Sequence, residues 1–146
     1  EGKQYIENYF NRYDGIREFM DHNIEFAKEH GYVETHFGRR VHLPNINAKN
    51  GGLRAGAERA AINAPLQGTN ADIIKMAMKK LEDAYQAEET SARMLMQVHD
   101  ELIFEVPEDK LDKEGDFIRK AMENIVKLDV KLEVGLGHGD TWEDAH

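Results

Sequence analysis

Two apolar segments of the sequence, residues 93–98 and 102–106, are separated by three ionisable residues: His99, Asp100 and Glu101. The length and composition of the two segments predict a β-hairpin with these three residues at its tip. Adjacent carboxylates repel each other unless water or a cation separates them. Because Mg²⁺ takes one or two protein carboxylates together with waters and substrate phosphates, the tip is a candidate magnesium site. Taken alone, the same residues also fit a solvated acidic turn.

Neighbouring His and Asp residues are also found in metal-dependent phosphohydrolases. That class needs further histidines at helical spacing, and the other histidines before the tip do not supply it; they are His22, His30, His36 and His42. The sequence therefore gives no support to a phosphohydrolase site.

A second group of polar residues lies in an Ala-rich segment, where Arg59, Asn63 and Gln67 follow one another at intervals of four. This spacing places the three side chains on one face of a helix. Arginine, asparagine and glutamine donate to the acceptors of the DNA minor groove without demanding one base sequence. The alternative is an ordinary polar helix face. Because Pro65 removes a backbone donor, the sequence predicts a helix break between Pro65 and Gly68, and a new helix capped by Thr69.

The net charge of -9 argues against a nucleic-acid partner, but the charge is unevenly distributed along the 146 residues. Residues 36–81 carry eight basic and two acidic side chains, whereas residues 82–146 carry seven basic and eighteen acidic ones. A basic middle segment fits a strip that binds phosphate, and it also fits solvated helix faces. There is no cysteine, so disulfides and thiolate metal sites are excluded. No apolar run approaches the roughly 18 residues of a membrane span.

Hydrophobic periodicity predicts an α+β fold in which helices pack on a small antiparallel sheet. The first two helices read as a packed hairpin with an aromatic stripe in its core. The predicted helices cover residues 3–13, 16–30, 53–64, 69–88 and 111–127. The predicted strands cover residues 32–35, 39–43, 93–98, 102–106 and 131–136.

Several segments together resemble one known family. They are residues 58–69 (ERAAINAPLQGT), 71–75 (ADIIK) and 97–102 (QVHDEL), with GYVET at 31–35, GRR at 38–40 and WEDAH at 142–146. In this order they resemble the carboxy-terminal part of family-A DNA polymerases, the bacterial polymerase I type. The resemblance covers essentially the whole chain.

The resemblance implies a role for each residue of the hairpin tip. Asp100 is similar to the palm aspartate that helps to hold two catalytic Mg²⁺ ions, and Glu101 to its auxiliary acidic neighbour. His99 is similar to a residue near the primer terminus. The implied cofactor is Mg²⁺, with two ions in the complete enzyme.

The same resemblance implies contacts with primer–template DNA. Arg59, Asn63 and Gln67 match positions that contact the minor groove or the primer–template beside the active site. Arg54 matches a contact with the DNA backbone. Residues 1–57 resemble part of the fingers and residues 58–146 most of the palm. Primer–template DNA and a deoxynucleoside triphosphate are the implied partners, and a bacterial or phage-infected cytoplasm is the implied location.

Several parts of the family's catalytic machinery do not occur in this sequence. They are a second metal-binding aspartate in a strand, a fingers Lys and Arg that hold the nucleotide's phosphates, and a tyrosine near the base; all lie upstream in the family order. We therefore expect a fragment of a polymerase that is inactive alone and needs the missing amino-terminal region. The alternatives are a separately encoded DNA-binding or complementing subunit, and an unrelated acidic interaction domain.

Overall fold

The computed structural model describes residues 2–145 and divides the chain into two compact units, Glu1–Thr69 and Asn70–His146. The elements are α1 (Gly2–Arg12), α2 (Asp14–His30), β1 (Tyr32–Glu34), β2 (Arg40–His42), α3 (Gly51–Gln86), β3 (Arg93–Val98), β4 (Glu101–Glu105), a 3₁₀ turn (Glu108–Lys110) and α4 (Leu111–Glu123). Each pair of strands forms an antiparallel two-stranded sheet. The predicted α+β class is confirmed.

In the first unit, α2 ends where the sequence predicts it to end. Gly31 adopts the left-handed conformation (φ 77°) and its N–H donates to the carbonyl of Ala27 at 2.7 Å. Glycine tolerates this conformation because it has no Cβ, and the bond satisfies a carbonyl at the helix end. The chain then turns directly into β1, as predicted.

The first unit has its core between α2, the β1–β2 hairpin and the amino-terminal half of α3. The buried residues of this core are Ala27, Val33, Leu43, Ile46, Ala57 and Ala61. The prediction that the aromatic stripe of the first helix is also core is wrong, because α1 buries none of its residues among those described. Sequence periodicity identifies an apolar face, but burial depends on what covers that face.

The predicted break in the Ala-rich helix does not occur, and α3 runs without interruption from Gly51 to Gln86 with Pro65 inside it. Thr69 is not an N-cap: its Oγ1 donates to the carbonyl of Pro65 (2.6 Å) and accepts from the N–H of His36 (2.9 Å). Pro65 is buried. Tertiary contacts thus offset the roughly 3 kcal/mol that proline costs inside a helix.

The cap of α3 lies earlier than the sequence suggests. Oδ1 of Asn50 accepts from the N–H groups of Gly52 (2.9 Å) and Leu53 (3.1 Å). Asparagine is a strong N-cap residue because its side chain satisfies backbone donors that have no partner within the helix.

The second unit packs α4 and the end of α3 against one face of the β3–β4 hairpin. Its buried core consists of Leu81, Ala92, Ile118 and Ala121, with Met94, Leu102 and Phe104 of the hairpin packed against it. Met94 pairs with Phe104 and Met96 with Ile103, so that Leu95 forms a β-bulge.

Two predictions for the end of the chain are wrong. The last helix ends at Glu123 instead of residue 127, and residues 131–136 pair with no strand in the part of the chain that is described. The segment packs on α4 instead: Val134 donates its N–H to Glu123 (3.2 Å), and a Cβ at Gly115 would lie 3.3 Å from Leu136. Alternation of apolar residues predicts an extended chain, but a strand also requires a partner with free backbone groups.

Across residues 2–145, no helix combines the length and the apolar character that crossing a membrane requires.

Candidate nucleotidyl-transfer and DNA-binding site

The tip of the β3–β4 hairpin consists of two residues, His99 and Asp100. Glu101 pairs with Val98 and is the first residue of β4, so the predicted three-residue tip is corrected. His99 adopts a left-handed conformation (φ 53°), which histidine tolerates better than most residues. Nε2 of Gln97 donates to the carbonyl of His99 at 2.5 Å and holds the turn in this shape.

Asp100 in this turn and Glu101 directly after it are both exposed. Asp100 makes no hydrogen bond or ion pair with any other described residue, whereas Glu101 has an interaction partner. No group of three or more His, Asp or Glu side chains between residues 2 and 145 converges on a possible metal position. The described residues therefore bring together no complete set of metal ligands at the hairpin tip, where Asp100 and Glu101 are neighbouring exposed carboxylates.

An ion pair joins the two strands at the end of the hairpin opposite the tip. Nε and Nη2 of Arg93 donate to Oε2 of Glu105 at 3.0 Å and 2.6 Å across the strands. Both side chains are more than half exposed, so this pair contributes little to stability. The packing of Met94 and Phe104 on the core is the larger contribution, because it buries apolar surface.

A buried carboxylate lies where β3 begins, and sequence reasoning missed it. Glu114 of α4 is 3% exposed and accepts hydrogen bonds from the hydroxyls of Thr90 and Ser91, the latter at 2.8 Å. Burial alone raises the pKa of Glu114, but the hydrogen bonds to the ionised form outweigh burial and hold the pKa below its usual value. The signal in the sequence is an acidic residue at helical spacing from Ile118 and Ala121 on the buried face.

The predicted polar row on α3 is present on the solvent side of the first unit. Arg59, Asn63 and Gln67 are all exposed. Their side chains make no hydrogen bond or ion pair with the rest of the chain as described, so their donors are available. Because α3 is continuous, each step of four residues turns the side chain by about 40°, and all three stay on one face.

Arg54 does not share this face. It precedes Arg59 by five residues, which corresponds to a rotation of about 140°. Its Nη1 donates to the carbonyl of Ala48 at 3.1 Å, although the side chain remains exposed. Part of the guanidinium therefore stabilises the loop before α3.

Two further residues of the ERAAINAPLQGT motif, Gly68 and Thr69, lie on the side of α3 that contacts the β1–β2 turn. A Cβ at Gly68 would lie 2.5 Å from Cγ2 of Thr35, so only glycine allows the β1–β2 turn to approach α3 this closely. Thr69 then holds that turn through the N–H of His36. The motif thus has exposed polar side chains on one side and, on the other, residues that pack against and bond to the β1–β2 turn.

The basic middle segment is partly neutralised by its own neighbours. Arg40 donates to Glu34 at 2.9 Å, and this bond raises the pKa of Arg40. Lys79 pairs with Asp83 at 2.6 Å. Arg59, Lys49 and Lys75 of this segment form no ion pair with any residue that the structure describes.

Comparison with known proteins gives a consistent result. The family description "DNA polymerase family A" matches residues 1–144. DNA polymerase I of Pseudomonas aeruginosa is 47% identical over 146 residues, which are 100% of this chain and 16% of that protein. DNA polymerase I of Deinococcus radiodurans is 46% identical over 144 residues, which are 99% of this chain and 15% of that protein.

A solved structure, the polymerase domain of Pol1 from M. smegmatis in complex with DNA primer–template and dNTP, superposes with a TM-score of 0.92 at 43% identity. The superposition covers 98% of this chain and 25% of the M. smegmatis chain. The chain therefore spans about one sixth of the length of the curated relatives. The match across almost all of its residues shows that the chain belongs to DNA polymerase family A.

Proposed function

We propose that the chain supplies one acidic part of the metal site and the minor-groove surface of a template-directed DNA polymerase. The observation that carries the proposal is Asp100, which lies exposed and without a partner among the described residues at the tip of a hairpin in a family-A chain. A carboxylate in this state is ready to bind a cation because it has no competing interaction to break.

Asp100 and Glu101 are the residues that would hold Mg²⁺. In nucleotidyl transfer two such ions stabilise the attacking 3′-oxygen and the pyrophosphate leaving group. Within this chain, Gln97 fixes the turn through the carbonyl of His99, and the β3–β4 pairing fixes where Glu101 begins the strand. We assign His99 to the neighbourhood of the primer terminus.

Arg59, Asn63 and Gln67 would bind the minor groove of the primer–template. A polymerase must hold every correct base pair, and minor-groove acceptors are nearly the same for all of them. The three side chains offer donors that the described part of the chain leaves unused, which supports this assignment. Arg54, on another face of α3, would contact the DNA backbone.

We assign residues 1–57 to the fingers and residues 58–146 to the palm. The second aspartate and the nucleotide-binding side chains would come from the polymerase region that the relatives contain beyond the matched segment. The isolated chain should therefore lack polymerase activity, and primer extension by purified residues 1–146 is the assay that checks this. Template-directed synthesis by the chain alone would contradict the proposal.

The experiment that tests the metal role uses a chimaera in which residues 1–146 replace the matching segment of P. aeruginosa DNA polymerase I. Asp100→Asn should lower the rate of extension by about 100-fold or more, because the lost metal interaction is worth several kcal/mol. Binding of primer–template in fluorescence anisotropy should change little.

The matched control is Asp129→Asn, another exposed aspartate of the second unit. It should leave extension unchanged. Full extension by the Asp100→Asn chimaera would show that Asp100 does not act in the metal site.

A further inference from the structure

Glu114 is a buried charged residue that has no part in the proposed metal or DNA site. It is 3% exposed and lies on the same buried face of α4 as Ile118 and Ala121. No cation forms an ion pair with it in the part of the chain that the structure describes. An apolar side chain would continue this face without the free-energy cost of removing a charge from water. The carboxylate therefore contributes something that apolar packing does not.

The contribution is a set of directional hydrogen bonds to the residues that lead into β3. Oε2 of Glu114 accepts from the hydroxyl of Thr90, and Oε1 accepts from the hydroxyl of Ser91 at 2.8 Å. Oγ1 of Thr90 also accepts from the N–H of Ala92 at 3.1 Å. Ala92 is itself buried and is followed directly by Arg93, the first residue of β3. The carboxylate thus fixes the chain at the point where the strand begins.

The other strand of the hairpin leads into the same helix. β4 ends at Glu105, and the chain reaches the start of α4 at Leu111 through Pro107 and the 3₁₀ turn. Glu114 lies in the first turn of α4. The chain itself therefore joins β4 to the start of α4, and the hydrogen bonds of Glu114 join β3 to it.

Apolar packing alone does not fix the direction in which the hairpin points. Met94, Leu102 and Phe104 are half-buried against the core, and apolar contacts are non-directional. Hydrogen bonds weaken steeply when their geometry is distorted, so the bonds to Glu114 favour one position of β3. Because β3 has six residues and is about 20 Å long, a tilt of about 5° at its start would displace Asp100 by about 2 Å.

We propose that Glu114 is a positioning residue for Asp100. By bonding Thr90 and Ser91 it fixes where β3 begins, and thereby where the tip of the hairpin presents its carboxylate to the metal. The inference rests on the proposed function, because it requires Asp100 to act at the metal. A displacement of about 1 Å in a catalytic group can lower the rate by about 100-fold, so this positioning should be visible in the rate of extension.

The test uses the P. aeruginosa chimaera and separates positioning from stability. In Glu114→Leu/Thr90→Val/Ser91→Ala all three side chains become apolar, so no buried hydroxyl lacks a partner and most of the stability should be kept. The bonds that fix β3 are nevertheless absent. Below the melting temperature, the rate of extension per folded enzyme should therefore be at least about tenfold lower than in the unsubstituted chimaera. The Mg²⁺ concentration that gives the half-maximal rate should rise, because the carboxylate is displaced from the ion.

A merely structural role of Glu114 gives a different result. If the triple variant keeps both the melting temperature and the rate of the unsubstituted chimaera, the proposal is overturned. Glu114→Gln, which keeps one acceptor oxygen, should lose less than about threefold in rate. A Glu114→Gln chimaera as slow as the triple variant would show that the charge and not the hydrogen bonds is required, which would also overturn the positioning role.

The matched control is Val33→Ala, which removes buried apolar volume from the core of the first unit. It should lower the melting temperature, because it leaves a cavity, and keep the rate of extension per folded enzyme unchanged. An equal loss of rate in this variant would contradict a role specific to Glu114.

The Asp100→Asn chimaera separates this inference from the proposed function. If Asp100→Asn abolishes extension while the triple variant extends at the full rate, the positioning role fails and the proposed function stands. If the Asp100→Asn chimaera extends at the full rate, the metal role fails and the positioning role fails with it.

Discussion

The tip and the base of the β3–β4 hairpin place a carboxylate in opposite environments. At the tip, Asp100 is exposed and has no partner among the described residues. At the base, Glu114 is 3% exposed and both of its oxygens accept hydrogen bonds from the residues that lead into β3. A carboxylate that the chain leaves unsatisfied is free to bind something else, whereas a satisfied one stabilises the fold.

The same contrast is found on the two sides of α3. Arg59 and Gln67 point outward with unused donors as far as the described chain shows, while Thr69 uses its hydroxyl twice to join the helix to the β1–β2 turn. Substitutions at the outward residues should therefore change binding and catalysis, and substitutions at the inward ones should change stability.

The largest effect on stability is expected for Glu114→Ala. It leaves the hydroxyls of Thr90 and Ser91 without their buried acceptor, which should lower the free energy of unfolding by about 3 kcal/mol. Urea denaturation of residues 1–146 measures this. Asp100→Ala is the control and should change the same quantity by less than about 0.5 kcal/mol. Equal losses in the free energy of unfolding for the two variants would contradict the different roles assigned to the carboxylates at the tip and at the base of the hairpin.

The next effect concerns DNA affinity. Arg59→Ala should weaken binding of primer–template by about 1–3 kcal/mol, because Arg59 would contact base edges in the proposed site. Fluorescence anisotropy of the chimaera with labelled primer–template is the measurement. Arg119→Ala, which removes an arginine of the second unit that lies 3.4 Å from Asp116, serves as the control. An unchanged affinity in the Arg59 variant would contradict the proposed contact of Arg59, Asn63 and Gln67 with DNA.

Acid should affect the base of the hairpin through Glu114. Its pKa is lower in the folded chain than in the unfolded one, so its contribution to stability is complete above the unfolded pKa and is lost as the pH falls through the folded pKa. The urea midpoint should therefore fall on acidification more steeply for the wild type than for Glu114→Gln, which cannot titrate at this position. Identical pH dependence of the two proteins would show that Glu114 is not the responsible group.

The smallest effect is expected at the joint between α3 and the β1–β2 turn. Thr69→Val keeps the shape of the side chain but removes the hydroxyl that bonds His36 and Pro65, which should cost about 1 kcal/mol of stability. Ser91→Ala, which leaves Glu114 one hydroxyl partner, provides a comparison of similar size in the second unit. A Thr69→Val chain as stable as the wild type would show that packing of Pro65 alone keeps α3 continuous.

Much of the fold could be predicted from local signals. Gly31 ended α2 as expected, the two hairpins formed, and Ile73, Ala77 and Leu81 are buried as their spacing indicates. These features depend on residues near each other in the sequence, so backbone preference and periodicity suffice to find them.

Two of the errors arise where contacts between distant segments decide the local structure. Pro65 and Gly68 favour a helix break, but Thr35 and His36, about thirty residues earlier, pack and bond against the same turn and keep the helix intact. Glu114 was missed because its two partners lie 23 and 24 residues away. No window of local sequence contains these pairs.

The sequence alone determined the family resemblance and the identities of the polar residues, because motif order and residue type do not depend on coordinates. Only the tertiary structure decided which of those residues remain available. Hydrogen bonds between distant segments satisfy Thr69 and Glu114 and leave the donors of Arg59 and the carboxylate of Asp100 without partners in the described chain. A polar group buried in the fold must find its partners there, whereas an exposed one can keep its hydrogen-bonding capacity for a ligand.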